Sequence, residues 1–248
     1  MTHHKTGTRD VPHRRLLTVA GVAGIAYTLS WIAGLAVTAP SPKLTASGAE
    51  ITAALAGHHA AVAAQFALTE GLPAAGLAVV SIALARAARR SGAAVAAWAV
   101  LIAGVAAALI SLLQFALGAG LAGTASPGTA HLLYVAVNRL DGVKMLTLAI
   151  LGLAAAASGV LPRWLRYTGI TLAIAITASG IAYLLLLQGL AILAAPALVL
   201  LLVFITGAGI TAGAAKTAVV AAVPTGTARA PVRPSRRTRV LAVDRARK

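Results

Sequence analysis

Two of the five acidic residues in this 248-residue chain, Glu70 and Asp141, lie within long apolar stretches, as do the basic residues Arg139 and Lys144. Charged groups in such surroundings can pair with one another, bind an ion or solute, or serve a membrane-embedded reaction. The histidines narrow the chemistry. All six lie at positions 3, 4, 13, 58, 59 and 131, so the last 117 residues hold none. A six-span intramembrane serine protease pairs a Gly-x-Ser-x serine with a later histidine. Neither Ser158-Gly159 nor Ser179-Gly180 has such a partner, and that class is excluded.

His-Glu-x-x-His and Gly-x-x-x-x-Gly-Lys are also missing, and without cysteine there is no disulfide, thiolate site or haem attachment. His58, His59, His131, Glu70 and Asp141 could compose a metal set on paper. Adjacent His58 and His59 point to different faces of a helix, however, so the expectation is no metal and no cofactor.

The elements that must position these groups follow from where charge is missing. The chain is 59% apolar and 10% charged, with mean hydropathy +0.89, against about 45–50% and about 25% in soluble domains. Leu16–Pro42, Ser91–Asn138, Met145–Pro162 and Tyr167–Ala215 lack Asp, Glu, Lys and Arg over 27, 48, 18 and 49 residues. A helix crossing a hydrocarbon core of about 30 Å needs roughly 20 apolar residues. The two longest runs therefore each hold more than one crossing. Breaks are expected at Gly118–Ala130, around Ser126-Pro127-Gly128, and at Gln188-Gly189 with Pro196 beyond.

The predicted fold is all-α, a polytopic bundle of six transmembrane helices. Its spans are about 16–38, 60–85, 93–117, 132–157, 168–187 and 195–215, between a segment over 1–15 and a disordered basic tail over 216–248. Continuous apolarity, without short alternation, favours helices over a barrel.

Orientation follows from the cations. With the N-terminus inside, 18 of the 21 basic residues fall on cytoplasmic segments, leaving Lys43, Arg139 and Lys144 in the outer half. Both termini are expected in the cytoplasm. A cleaved signal peptide is disfavoured, because the first apolar stretch exceeds an h-region of about 7–15 residues. The tail from Arg229 carries eight basic residues against Asp244. It reads as a topological anchor touching anionic lipid; without aromatic interleaving it does not read as a nucleic-acid binder.

Along the helices, at about 1.5 Å per residue, Glu70, Lys144 and Asp141 stand roughly 20–24 Å above the cytoplasmic ends of their spans. Oppositely charged groups at one depth should meet, so Glu70 is expected to pair with Lys144 or Arg139 between spans two and four. His131, Tyr134, Asn138, Asp141 and Lys144 follow a 3–4 spacing on span four. His59, Phe66, Glu70 and Pro73 share a side of span two. Pro73 cannot bond the Thr69 carbonyl, so a kink is expected beside Glu70. Gln114, Gln188, His58, His59 and His131 are expected at or above the outer boundary. Together these residues form a polar patch opening outward.

Its candidate ligand-binding residues are Glu70, His131, Tyr134, Asn138, Arg139, Asp141 and Lys144, with none assigned as catalytic. The competing readings are an ion-paired clasp, a ligand or ion site, and a membrane enzyme. Gly209-x-x-x-Gly213 and Gly152-x-x-x-Ala156 allow close helix approach. Tyr27, Trp31 and Trp98 read as packing or interface anchors.

The order of these features resembles an uncharacterised family of six-span bacterial membrane proteins. The likeness covers roughly Arg14–Ala215. It rests on Glu70 in span two, the basic turn after that span, Arg139-Leu140-Asp141-Gly142, and Ser158-Gly159-Val160-Leu161-Pro162-Arg163-Trp164-Leu165 leading to Gly169. The resemblance implies architecture and carries no activity. The functional expectation is a non-enzymatic binding or accessory protein of a bacterial plasma membrane, acting with a membrane-protein partner or as a homodimer. A small-solute or ion transporter, and then a metal-dependent membrane enzyme, are the alternatives.

Overall fold

The computed structural model describes residues 18–221. The N-terminal basic segment and the tail beyond 221 lie outside the described residues. The chain falls into two units, Met1–Lys216 and Thr217–Lys248, and the fold and site belong to the first.

Six helical stretches are long and apolar enough to cross a membrane: Val19–Ala36, His59–Arg90, Ala94–Gly123, Pro127–Ala157, Arg163–Leu184 and Ala194–Ala214. The described residues contain no strand. We number the helices α1 (Val19–Ala36), α2 (Gly48–Leu55), α3 (His59–Phe66), α4 (Leu72–Arg90), α5 (Ala94–Gly123), α6 (Pro127–Ala157), α7 (Arg163–Leu184) and α8 (Ala194–Ala221). α3 and α4 are joined through a π-helical turn, Ala67–Gly71, to make the second span.

Local chemistry explains the boundaries. The Thr18 hydroxyl accepts from Gly21 N–H at the start of α1, and prolines 40 and 42 follow its end. Ser47 and Glu50 form a reciprocal capping box on the short helix α2. Here Glu50 is exposed, and the Ser47 backbone N–H holds its carboxylate below the ordinary pKa. The turn into α7 uses Gly159 at φ +73°. Leu165 and Arg166 N–H bond the Pro162 carbonyl, and Arg166 Nε donates to the Ala156 carbonyl at the end of α6. A backbone with positive φ at Gly159 is what permits α6 to end there.

Successive spans pack on one another: α1 on α4, α4 on α5, α5 on α6 and α6 on α7. α8 completes the arrangement by packing on both α7 and α1. A Cβ at Gly169 would lie 2.9 Å from the Phe204 ring, and one at Gly24 2.9 Å from the Ile205 carbonyl oxygen. In lipid, helix association relies on close packing because the solvent is itself apolar. The glycine motifs of the sequence serve that purpose within the chain. Gly209 faces the Ala20 carbonyl, Gly213 the Thr18 side chain, and Gly152 the Gly169 carbonyl. The interior is filled by residues such as Leu77, Val80, Leu148, Leu151, Ile176 and Phe204. Val95, Ile102, Leu132, Ile174 and Val199 are exposed on the perimeter, so the bundle is apolar within and without, as a bilayer requires.

The two ends differ. One carries Arg86, Arg89 and Arg90 at the end of α4 and Arg163 and Arg166 at the start of α7, with Arg89 over the Trp98 ring at 5.7 Å; we call it the basic end. The other is covered by α2, whose Ile51 and Leu55 pack with Val62, Leu121, Ala122 and Ala130 in a separate apolar cluster; we call it the capped end.

The expected break at Gly118–Ala130 is shorter in the structure. α5 continues to Gly123 and α6 begins at Pro127. Gly118 is not a breaker: a Cβ there would lie 2.2 Å from the Phe66 ring. The residue is small to admit a neighbouring helix.

Candidate functional site

The second span positions the first functional group. Pro73 stands in the first turn of α4 and has no N–H to donate to the Thr69 carbonyl. The chain answers with a π turn, in which Leu72 N–H bonds the Ala67 carbonyl. The displaced Leu68 carbonyl accepts a 2.6 Å hydrogen bond from Ser30 on α1, and Thr69 donates to Gln65. The kink expected at Pro73 therefore takes the form of a local widening, with Glu70 on the π turn and buried.

On α6, Asp141 and Lys144 are one turn apart. Lys144 Nζ lies 2.7 and 2.8 Å from the two Glu70 oxygens and 2.7 Å from Asp141 Oδ1. Both Glu70 oxygens thus accept from the ammonium, and Asp141 adds an ion-pair contact. The Glu70 and Lys144 side chains are 7% and 6% exposed, whereas Asp141 retains 20%. This difference decides which carboxylate can meet another molecule. Gln114 Nε2 adds a bond to the Val137 carbonyl at 3.1 Å and a longer one to Asp141 Oδ1 at 3.3 Å. No partner of Asp141 Oδ2 is found among the described residues.

The remaining predicted residues separate into other places. Arg139 and His131 are exposed, and neither belongs to an ion pair among the described residues. Arg139 lies two residues before Asp141, which at about 100° per residue points it to the far side of α6. Asn138 donates to the Tyr134 carbonyl, and the Tyr134 hydroxyl donates to the Pro42 carbonyl. Tyr134 thereby holds the connection before α2, whereas the Asn138 bond stays within α6. Gln188 accepts from Leu44 N–H at 2.8 Å, tying that same connection to the segment between α7 and α8. His59 Nδ1 lies 2.6 Å from the Ala122 carbonyl. Gln114, expected at the boundary, is instead 1% exposed in the interior. α5 runs nine residues beyond it, which places it about 13 Å inside the helix end.

The charged cluster adjoins a cavity of about 300 Å³. Asp141, Lys144 and Ser111 form its polar wall, and Tyr27, Trp31 and Tyr183 its aromatic one. The rest is aliphatic, from α1, α4, α6, α7 and α8. Trp31 Nε1 is buried without an acceptor among the described residues. The aromatic participants escaped sequence reasoning because Tyr27 and Trp31 have the spacing of ordinary packing residues. The available signal was that a tyrosine, not an aliphatic residue, occupies the buried side of span one. No group of three metal-ligating side chains occurs among the described residues.

The cavity has a seam. Near the basic end, α1 and α8 are held together by their glycines and by the 2.7 Å bond between Thr28 and Thr206 hydroxyls. Towards the capped end the cavity intervenes. Its lining includes Leu35 of α1 and Ala195 of α8, both exposed on the bundle surface.

No family model, curated protein or solved structure matches this chain. The functional reading therefore rests on the site.

Proposed function

We propose that this chain is a non-enzymatic, membrane-embedded binding protein that holds a small molecule in the cavity beside Asp141 and Lys144. The observation that carries the reading is that the ion-paired cluster is incompletely enclosed. A structural clasp needs only to pair its charges, whereas here Asp141 borders a cavity of about 300 Å³, at the lower end of ligand-site volumes of about 300–1,000 Å³. Aromatic walls with a few convergent polar groups are the usual composition of such sites. The proposed location is a bacterial plasma membrane with both termini cytoplasmic, supported by the basic residues on one end of the bundle. The proposed tail function is contact with anionic lipid. The turn Ser158–Leu165 supports kinship with the six-span family it resembles.

Native mass spectrometry of the gently extracted full chain tests the binding reading. A discrete adduct on the wild type that is lost when Ala195→Phe fills the seam is the expected result. Bare protein in both samples, with ligand mixtures added back, would return the cluster to a purely structural role. Ionisable residues buried within spans also favour a second reading, a small-solute or ion transporter. That reading predicts flux into proteoliposomes that disappears in Glu70→Gln.

A further inference from the structure

The geometry points to an amine-bearing amphiphile as the ligand, its ammonium on Asp141 and its apolar body leaving through the seam between α1 and α8. This inference rests on the cavity being a binding site, as proposed above, and adds the sign of the ligand's charge and its route.

The sign follows from the donors and acceptors. Lys144 is already enclosed by carboxylates, since three of their oxygens lie 2.7–2.8 Å from its ammonium. An anion would have to displace Glu70 or Asp141 to reach it. Asp141 has the opposite character: Oδ1 is occupied, Oδ2 has no partner among the described residues, and the side chain borders the cavity. Two carboxylates against one ammonium also leave the ionised cluster one positive charge short of neutrality. An unbalanced charge in a low-dielectric interior is costly, and a bound cation or a proton removes the imbalance. Tyr27, Trp31 and Tyr183 on the same cavity wall favour the cation, because ring faces attract ammonium groups.

The route follows from the seam. Leu35 and Ala195 line the cavity and are also exposed on the apolar perimeter, which in a membrane is where acyl chains lie. On the capped side, the Leu44–Gln188 hydrogen bond ties the connection before α2 to the segment between α7 and α8. Entry from the lipid thus needs no movement of that strap. A volume of about 300 Å³ is at the lower end of ligand-site volumes, enough for a head group and a short length of chain.

The test is binding of octylamine, octanoate and propylamine to the full chain in nanodiscs, read by native mass spectrometry. Octylamine is expected to bind, octanoate not to bind, and propylamine to bind far more weakly because it lacks the apolar body. Asp141→Asn should weaken octylamine by about tenfold or more, the loss of one hydrogen bond to a charged group. Trp31→Leu should weaken it about three- to fivefold. Should Asp141→Asn fail to fold, Ala195→Phe, remote from the charges, must abolish octylamine binding. Preferred binding of octanoate would overturn the inferred charge while leaving the cavity a site. Equal binding of propylamine would overturn the lateral route. Octylamine binding undiminished in both Asp141→Asn and Ala195→Phe would overturn the inference outright. Failure of all three probes would overturn the binding reading with it.

Discussion

At the basic end, α1 and α8 approach until backbone meets backbone, with glycines where any side chain would collide; at the capped end, the same two helices stand apart around a cavity. The first half of the seam is specified by residues too small to misfit. The second is lined by Trp31, Leu35 and Leu198, with an ionisable cluster behind them. The bundle is therefore closed firmly where it has only to hold together, and left open where it has polar groups to present. The difference teaches that interior volume, not overall packing, distinguishes the candidate site.

The largest effect should come from disturbing the charges at the open half. Lys144→Met leaves the buried Glu70 carboxylate without its partner and beside Asp141, and should destabilise the protein by about 3–5 kcal/mol, read as a lowered unfolding midpoint in detergent. Adding Glu70→Gln and Asp141→Asn removes the orphaned charges and should restore most of that loss. If the triple variant is no better than the single one, the cluster is not held by charge balance.

At the closed half, Gly209→Val should cost about 1–3 kcal/mol through overpacking, since even a Cβ would lie 2.4 Å from the Ala20 carbonyl oxygen. Ala195→Phe, at the open half, should leave the midpoint nearly unchanged. Equal losses at both positions would erase the contrast. Smaller still is the strap: Gln188→Leu removes one partly buried hydrogen bond and should cost about 1 kcal/mol. Hydrogen exchange should then rise around Leu44.

The smallest effect concerns the cap α2. Hydrogen bonds from Ser47 hold the Glu50 carboxylate below its ordinary pKa, so its contribution is present above the unfolded value and is lost as pH falls through the folded one. Acidification below about pH 4 should therefore fray α2 before the spans, and Glu50→Gln, which removes the titrating group, should abolish that pH dependence. Local hydrogen exchange would record both.

Much of this architecture was legible from the chain, and the reasons are specific. Charge-free runs locate spans because a bilayer penalises charge along some 30 Å of path. Glu70 and Lys144 meet because depth along a helix is countable. Direction around a helix is countable too, and Arg139 could have been separated from Lys144 on that ground. Gln114 was misplaced because Gly118 was read as a break, when its role is to admit Phe66. A glycine's sequence context does not say whether it bends a chain or accommodates a neighbour. The cavity was invisible for a similar reason: it is set by how α1 and α8 diverge, a relation between segments distant in sequence.

The π turn at Ala67–Gly71 sets the phase of the second span. A turn of this kind holds more residues than an α-turn, so one residue removed from it would regularise the helix. Everything before the deletion would then rotate by about 100° relative to everything after. Glu70 could not keep facing Lys144 while α3 also kept its contacts beneath α2. The span thus tolerates many apolar substitutions along its length but has little tolerance for a change in count at this point, where a single residue acts as the spacer between two independently fixed surfaces.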